Sequence, residues 1–427
     1  MQIITAASDT AGSGPPGDSP TPPARIDSGG TKGENRLIGL YLAENCKRCG
    51  RCLALCPRLD GLEQDDAAAL VRRLAAGEWV REVLEHCTGC MSCDATCPNG
   101  AHPYGLLLER FGERYQTQGI PRVFCNAMPQ RGGPNLWNGL DRWLSRRERD
   151  NLELWARPPE RDEVLFLGCN QRLTPYVADS ALFADLAVFS DPTQCCGEYY
   201  LRLGLFDEAR RKAAALASRF NELGIRKVIA FCPACQNTMV SLAPRALGVH
   251  FDVEVTGLVD WLSSRISSGH IEPLRQFEGT ATIQDPCHAS LLGEDPVSKV
   301  RDLVRLLGLQ VMEMEPSGVA AECCGLGASL GRYSLVDVMR TGLHRSRQAK
   351  GTGAGVTCAW CNGCYMVMNM FRLLYPQAPP VYHLLELVQV STFERPQRKV
   401  PARSAQLLAA AVEATARDGF SFGRVTL

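Results

Sequence analysis

The cysteines of this 427-residue chain, twenty in all, fall into two kinds of set. Cys46, Cys49, Cys52 and Cys56 form one string, "CKRCGRCLALCP"; Cys87, Cys90, Cys93 and Cys97 form another, "CTGCMSCDATCP". Both read C-x2-C-x2-C-x3-C-P. Thiolates are soft anionic donors, and the x2 spacing lets one short turn present successive sulfurs to a single centre. The proline after the fourth cysteine redirects the backbone. Farther along comes a second pattern: a lone cysteine, an adjacent pair followed by glycine, then a C-x2-C pair. Cys169, Cys195, Cys196, Cys232 and Cys235 make the first such set, and Cys287, Cys323, Cys324, Cys358 and Cys361 the second. Adjacent cysteines are poorly placed to serve one compact tetrahedral metal, but they can straddle a centre of several metals. The glycine after each pair lets the backbone turn tightly beside the ligands.

Clustered thiols of this kind belong to a reducing compartment, where they bind metal. The disulfide alternative suits small secreted domains, and this chain is long. Its first residues, "MQIITAASDT", have neither a basic n-region nor an apolar h-region, so no secretory signal is expected. No run of about 18 uncharged apolar residues is present. The expected location is the cytoplasm, with membrane contact only through a partner. Lys and Arg balance Asp and Glu at 46 each, so nothing in the charge points to nucleic acid or an anionic lipid surface.

The two early strings follow the bacterial ferredoxin pattern for [4Fe–4S] cubes. In that pattern the fourth cysteine of each string ligates the other cube. One cube is then held by Cys46, Cys49, Cys52 and Cys97, and the other by Cys87, Cys90, Cys93 and Cys56. Zinc takes C-x2-C pairs with a separate second pair or histidines, not four cysteines in this run twice over. Two nearby cubes make an electron wire.

These ligands need elements to hold them. Residues 1–34 are rich in Pro, Gly, Ser and Thr and read as a disordered tail. Residues 35–120 hold the two strings. The segment between the strings, "DDAAALVRRLAAGEWVREVLE", has helical spacing and strong helix formers, as does "YGLLLERFGERYQ" after Pro103. A mostly α-helical two-cluster domain is expected there. Residues 121–160 read as a linker with a helix or two. From 161 onward, short apolar runs alternate with helices: "EVLFLG", "LAVFS", "KVIAFC", "ATIQD", "QVMEM" and "AGVTC". That alternation predicts α/β architecture with largely parallel strands. The cysteine sets repeat roughly 120–130 residues apart, and each copy closes similarly, "FDVEVTGLVDWL" in one and "PPVYHLLELVQV" in the other. Tandem homologous α/β lobes are therefore expected at 161–270 and 271–395, with 396–427 as a C-terminal tail.

In this order, two ferredoxin-type strings followed by two CC-G sets, the chain resembles the CCG-domain iron–sulfur oxidoreductases over roughly residues 35–391. That family includes the fused D-type polypeptide of heterodisulfide reductase, the C-type polypeptide of anaerobic glycerol-3-phosphate dehydrogenase and the glycolate oxidase iron–sulfur subunit. The resemblance implies one noncubane [4Fe–4S] cluster on each CC-G set, in addition to the two cubanes. It also implies a disulfide or thiol substrate between the two centres, or a purely electron-carrying role where the sets are degenerate. Both sets are complete here. The chain has no flavin or dinucleotide fingerprint, so its electron partner is expected to be a flavoprotein or a cytochrome b subunit. The direction of electron flow stays open.

These sets take up eighteen of the twenty cysteines, leaving Cys125 as an ordinary thiol and Cys364 as packing or a nearby redox group. His288, directly after Cys287, is a candidate proton donor to a leaving thiolate, set against a structural hydrogen bond. His383, at a strand-to-helix junction, is a second candidate for the same cleft. Trp360 reads as a shield over a cluster. "GLGASLG" at 325–331 and "GTGAG" at 351–355 are weak matches to phosphate loops. Arg72 and Arg73 read as a solvated helix face.

Overall fold

The computed structural model describes Leu37 and residues 39–129, 135–327, 331, 333–417 and 423–426. The stretch 1–34, read above as a tail, lies outside the described residues, as do 328–330 of the "GLGASLG" segment.

Residues 39–118 are helical: Arg51–Ala54, Gln64–Ala75, Arg81–Leu84, Ser92–Ala95 and Pro103–Gln118. The two cysteine strings share one backbone conformation. Arg48 and Gly89, just before the second cysteine of each string, have φ of 52° and 64°; Gly50 and Met91, just after it, have φ of 80° and 64°. Two left-handed residues around one cysteine curl the chain into a tight loop, and the next residues start a single helical turn. Gly50 has no alternative, because a Cβ there would stand 2.4 Å from the Ala68 nitrogen. The long helices bury Val71, Leu74, Leu108 and Phe111 between them. Arg73 lies on the exposed face, paired with Glu78 and Glu82.

A short strand β1 (Ile120–Pro121) pairs antiparallel with residues 424–425 near the chain's end. The segment that follows β1 is a strap rather than a free linker. Its helix Arg146–Trp155 begins with a capping box made by Ser145 and Glu148.

The two lobes repeat each other. The first contains β2 (Glu163–Phe166), β3 (Ala187–Phe189), β4 (Lys227–Ala230) and β5 (Glu254–Gly257). The second contains β6 (Thr280–Gln284), β7 (Gln310–Val311), β8 (Val356–Ala359) and β9 (Val381–His383). The sheet orders are β3-β2-β4-β5 and β7-β6-β8-β9, and every neighbouring pair is parallel. Strands buried on both faces need continuous apolar runs, and Val164, Leu165 and Phe166 are each at most 1% exposed. Each lobe's first strand sits inside its sheet, where the crossovers diverge to either side. That is where such sheets open a crevice beyond the carboxyl ends of the strands. "GTGAG" is the ordinary turn from the helix Leu335–Gly351 into β8.

The expected C-terminal tail is corrected by the helix Val400–Arg417, which packs on Asn362–Leu374 and Leu136–Leu140. Arg403 and Lys399 lock it by pairing with the buried Glu148 at 2.7 and 2.8 Å. Burial alone would raise the Glu148 carboxyl, but Lys399, Ser145 and Arg403 outweigh it and hold the group below its ordinary value. Among the described residues, no helix is long and apolar enough to cross a membrane.

Candidate iron–sulfur centres

Each lobe hangs its cysteines at fixed offsets from its strands. Cys169 and Cys287 come three residues after β2 and β6. Cys232 and Cys361 come two residues after β4 and β8, and each caps the N-terminus of the helix that follows. Cys235 and Cys364 sit three residues further along, inside those helices. The pairs Cys195-Cys196 and Cys323-Cys324 follow the second strand of each lobe. Their glycines, Gly197 and Gly325, have φ of 90° and 111° and donate N–H to the first sulfur of the pair at 3.4 Å.

This register corrects one sequence assignment. Cys358 is not the start of the second C-x2-C pair. It lies within β8 opposite Ile283 and Tyr382, fully buried, with Asp285 and Arg301 as its charged neighbours. The pair that matches Cys232-Pro-Ala-Cys235 is Cys361-Asn-Gly-Cys364. The sequence carried the signal: Ala230-Phe231-Cys232 and Ala359-Trp360-Cys361 are the same small–aromatic–cysteine turn.

Ten cysteines, five from each lobe, line one cavity of about 320 Å³ at the carboxyl ends of the strands. Cys364 is among them and Cys358 is not. The thiols touch in series. Cys195 meets Cys169 and Cys196, Cys235 meets Cys196 and Cys232, and Cys232 meets Cys361 of the other lobe. Cys364 then joins Cys361 to Cys324, and Cys323 joins Cys324 to Cys287. Donation from Cys323 and Cys364 pulls the Cys324 thiol down to about 5 against the opposing effect of burial. The lobes also exchange polar contacts around the sulfurs: Thr174 donates to Asn362 at 2.9 Å, and Asn362 donates to the Asn170 carbonyl at 2.9 Å. Above this floor the walls turn apolar, with Phe124, Leu173, Leu326, Met366 and Leu407 among the lining.

His288 does stand at the cavity, in a buried polar group. Its Nε2 faces Glu198 Oε1 at 3.0 Å, and its Nδ1 faces the Asn237 side-chain nitrogen at 2.9 Å. Burial would lower the ring's proton affinity, but the Cys287 sulfur and the Glu198 carboxylate outweigh it and raise it. Burial likewise opposes ionisation of Glu198, yet Arg202 and His288 pull its carboxyl down to about 2. Arg202 is the member that sequence reasoning missed. It pairs with Glu198, donates to Cys287 Sγ at 3.0 Å, and donates to the Gly89 carbonyl of the second ferredoxin-type string at 2.9 Å.

His383 is not part of this cavity. It is fully buried, stacks on Phe231 at 5.3 Å, and caps the helix Leu384–Ser391 by accepting from the Leu385 N–H. Burial drops its ring to about 3, which leaves it neutral and structural. Trp360 is a core anchor that donates to Asp285 at 3.0 Å. Cys125 is buried within the turn Arg122–Ala127 that begins the strap.

The eight earlier cysteines gather in the helical region. Cys52 lies within electrostatic reach of Cys46, Cys49 and Cys97, Cys56 of Cys90, and Cys93 of Cys87 and Cys90. Cys97 is thus near Cys52 and Cys56 near Cys90, while Cys93 is also within reach of Cys52, so the eight thiols lie close together. The chemistry of the donors fits iron–sulfur groups. Every cysteine is a free thiol, the donors are soft sulfurs, and two carboxylates beside them are already engaged, Glu198 by Arg202 and His288 and Asp94 by the Tyr104 N–H. Space has been kept for the sulfurs too, since a Cβ on Gly168 would stand 2.8 Å from Cys235 Sγ.

Known proteins give the same division. A 4Fe-4S dicluster domain model matches residues 45–102, and a cysteine-rich (CCG) domain model matches twice, at 164–240 and 281–369. A probable glycolate oxidase iron-sulfur subunit of Bacillus subtilis is 38% identical over 76% of this chain and 88% of its own length. The D-type polypeptide of the dihydromethanophenazine:CoB–CoM heterodisulfide reductase of Methanosarcina barkeri is 24% identical over 82% of this chain and 94% of its own. An EtfAB:quinone oxidoreductase of Syntrophomonas wolfei is 23% identical over 62% of this chain, a match that covers 39% of that protein.

Proposed function

Because the chain belongs to the CCG-domain iron–sulfur oxidoreductase family, which includes the D-type polypeptide of heterodisulfide reductase, we propose that it is the polypeptide in which a disulfide is reduced, or a thiol pair oxidised, at a double CCG centre fed by two cubanes. Cys46, Cys49, Cys52 and Cys97 hold one cubane, and Cys87, Cys90, Cys93 and Cys56 the other. Cys169, Cys195, Cys196, Cys232 and Cys235 hold one noncubane [4Fe–4S] group, and Cys287, Cys323, Cys324, Cys361 and Cys364 the second. When bound, these groups store and pass single electrons.

The observation that carries the reading is the ten-thiol cavity, in which sulfurs of both lobes meet through Cys232 and Cys361. The two five-thiol sets face one another across this space, so that a single substrate can reach both centres. Breaking one S–S bond takes two electrons and two protons and leaves two thiols. His288, with Nε2 at 3.0 Å from both Glu198 Oε1 and Arg202 Nη2, is the group that can hand a proton to a leaving thiolate on the second-lobe side of that cavity, and the apolar walls above the sulfurs exclude water. The electrons come from, or go to, a flavoprotein or cytochrome b subunit, and any membrane contact is made through that partner. The chain itself works in the reducing cytoplasm.

A second reading, an electron-transfer protein with no substrate of its own, is favoured by exposed apolar residues beside the cavity. Leu335 and Leu408 are 54% and 44% exposed, with Val336 and Met339 next to them. Such a patch suits coverage by a partner protein. Assaying the fully clustered chain anaerobically with a reduced viologen dye and a panel of disulfides separates the two. The first reading expects dye oxidation that depends on the disulfide. A preparation with all its iron and no turnover across the panel leaves only the second.

A further inference from the structure

The two lobes match in fold and in their sulfurs, but not in the charges around them. In the first lobe, Cys196-Gly197 is followed by Glu198 and, four residues later, Arg202. In the second, Cys324-Gly325 is followed by Leu326 and, four residues later, Leu330. The residue after the lone cysteine differs as well, Asn170 in one lobe and His288 in the other. Glu198 and Arg202 cross the cavity to meet His288 and Cys287. The corresponding residues of the other half, Asn170 and Leu326, both approach Gly363 and form no ion pair. Arg172 lies within electrostatic reach of Cys169, yet among the described residues no guanidinium donates to a first-lobe sulfur.

Arg202 is only 4% exposed, so its charge is little screened by water. Its Nη2 is 3.0 Å from Cys287 Sγ. Hydrogen bonds and positive charge at a ligand sulfur stabilise the added electron, and so raise a cluster's potential. Glu198 opposes this, but it is shared with His288 and stands behind the guanidinium. The other nitrogen, Nη1, holds the Gly89 carbonyl between Cys87 and Cys90. Ser290, three residues after Cys287, donates to the Val319 carbonyl at 2.6 Å and stands 3.2 Å from the Cys90 carbonyl. The second ferredoxin-type string thus leans on the second lobe's cysteine loop at two points.

From this asymmetry we infer that Arg202 is a positioning residue that makes the two CCG centres inequivalent: it sets the second-lobe centre at the higher potential and docks it against the cube held by Cys56, Cys87, Cys90 and Cys93. The inference rests on the four-centre reading above. The second-lobe centre is then the first CCG centre to take an electron from the cubes, and the first-lobe centre fills after it.

The test is an EPR-monitored redox titration of the anaerobically reconstituted full chain. Cys196→Ser and Cys324→Ser each remove one lobe's signal and so assign the two midpoints. The second-lobe midpoint is expected to be the higher. Arg202→Leu should lower it by at least tenfold in reduction equilibrium, which is about 59 mV for one electron. The first-lobe and ferredoxin-type midpoints should stay in place. Should the leucine variant lose iron, Arg202→Lys carries the same titration, with a smaller fall expected. Midpoints that do not move at full iron content, or a shift in the first-lobe centre alone, would overturn the inference. About eight irons per wild-type chain would instead remove the reading on which it rests.

Discussion

Cys364→Ser should cost the chain about four irons, and Cys358→Ser none. The two cysteines lie in the same seven-residue segment, "CAWCNGC", and either can be paired with Cys361 by an x2 spacing. The fold separates them. Cys358 is a strand residue, hydrogen-bonded through its backbone in the middle of the second sheet and away from the cavity. Cys364 is the third residue of the helix Asn362–Leu374 and touches both Cys324 and Cys361. Losing one of five thiolates leaves the second-lobe group without its link between Cys324 and Cys361. Losing the Cys358 sulfur alters only the packing of a small buried side chain. Iron analysis of both variants, with the ferredoxin-type EPR signals as an internal reference, decides the matter. Iron loss from Cys358→Ser with none from Cys364→Ser would reverse the assignment.

The largest expected effect on stability belongs to Asp285→Ala, at about 3 kcal/mol or more. Asp285 directly follows β6 and is fully buried. It accepts from Arg301 Nη2 at 2.8 Å, from the Gly318 N–H at 2.8 Å and from Trp360 Nε1 at 3.0 Å. One carboxylate therefore ties the Cys287 turn to the Cys361 turn. Removing it takes the acceptor from the buried Trp360 Nε1 and the half-buried Gly318 N–H and breaks the ion pair to Arg301, and breaking a buried pair costs about 3–5 kcal/mol. Arg301 keeps Glu313, at 2.8 and 2.9 Å, which holds the loss toward the low end of that range. Urea unfolding followed by tryptophan fluorescence measures it. Glu313→Ala, which removes a carboxylate 35% exposed, should cost about 1 kcal/mol or less. Equal effects from the two would mean that Asp285 is not the anchor.

Much of this molecule is legible in its sequence, because the signals are local. The runs "EVLFLG" and "KVIAFC" become β2 and β4, since four or five adjacent apolar residues suit a strand covered on both faces. The ferredoxin-type strings carry their own turn geometry, repeated residue for residue at 48–50 and 89–91. What escapes is set by distance along the chain. Arg202 has a partner 113 residues before it and another 85 after it, and no window shows either. The C-terminal helix is pinned by Arg403 to a glutamate 255 residues away, so its sequence alone does not separate it from a tail. The misread cysteine has a different cause. Two C-x2-C frames overlap in "CAWCNGC", and spacing alone does not tell which one begins the helix; the match of Ala359-Trp360-Cys361 to Ala230-Phe231-Cys232 does. His383 misled because a strand-to-helix junction is equally a place for a cap, and its ring is buried among Phe231 and Tyr365.

The central claim is that both halves of the chain bind iron. Counting iron and acid-labile sulfide per chain in protein purified without oxygen tests it most directly. Four [4Fe–4S] groups predict about sixteen irons. A value near eight, with only ferredoxin-type signals, would leave the ten-thiol cavity without metal and contradict the account.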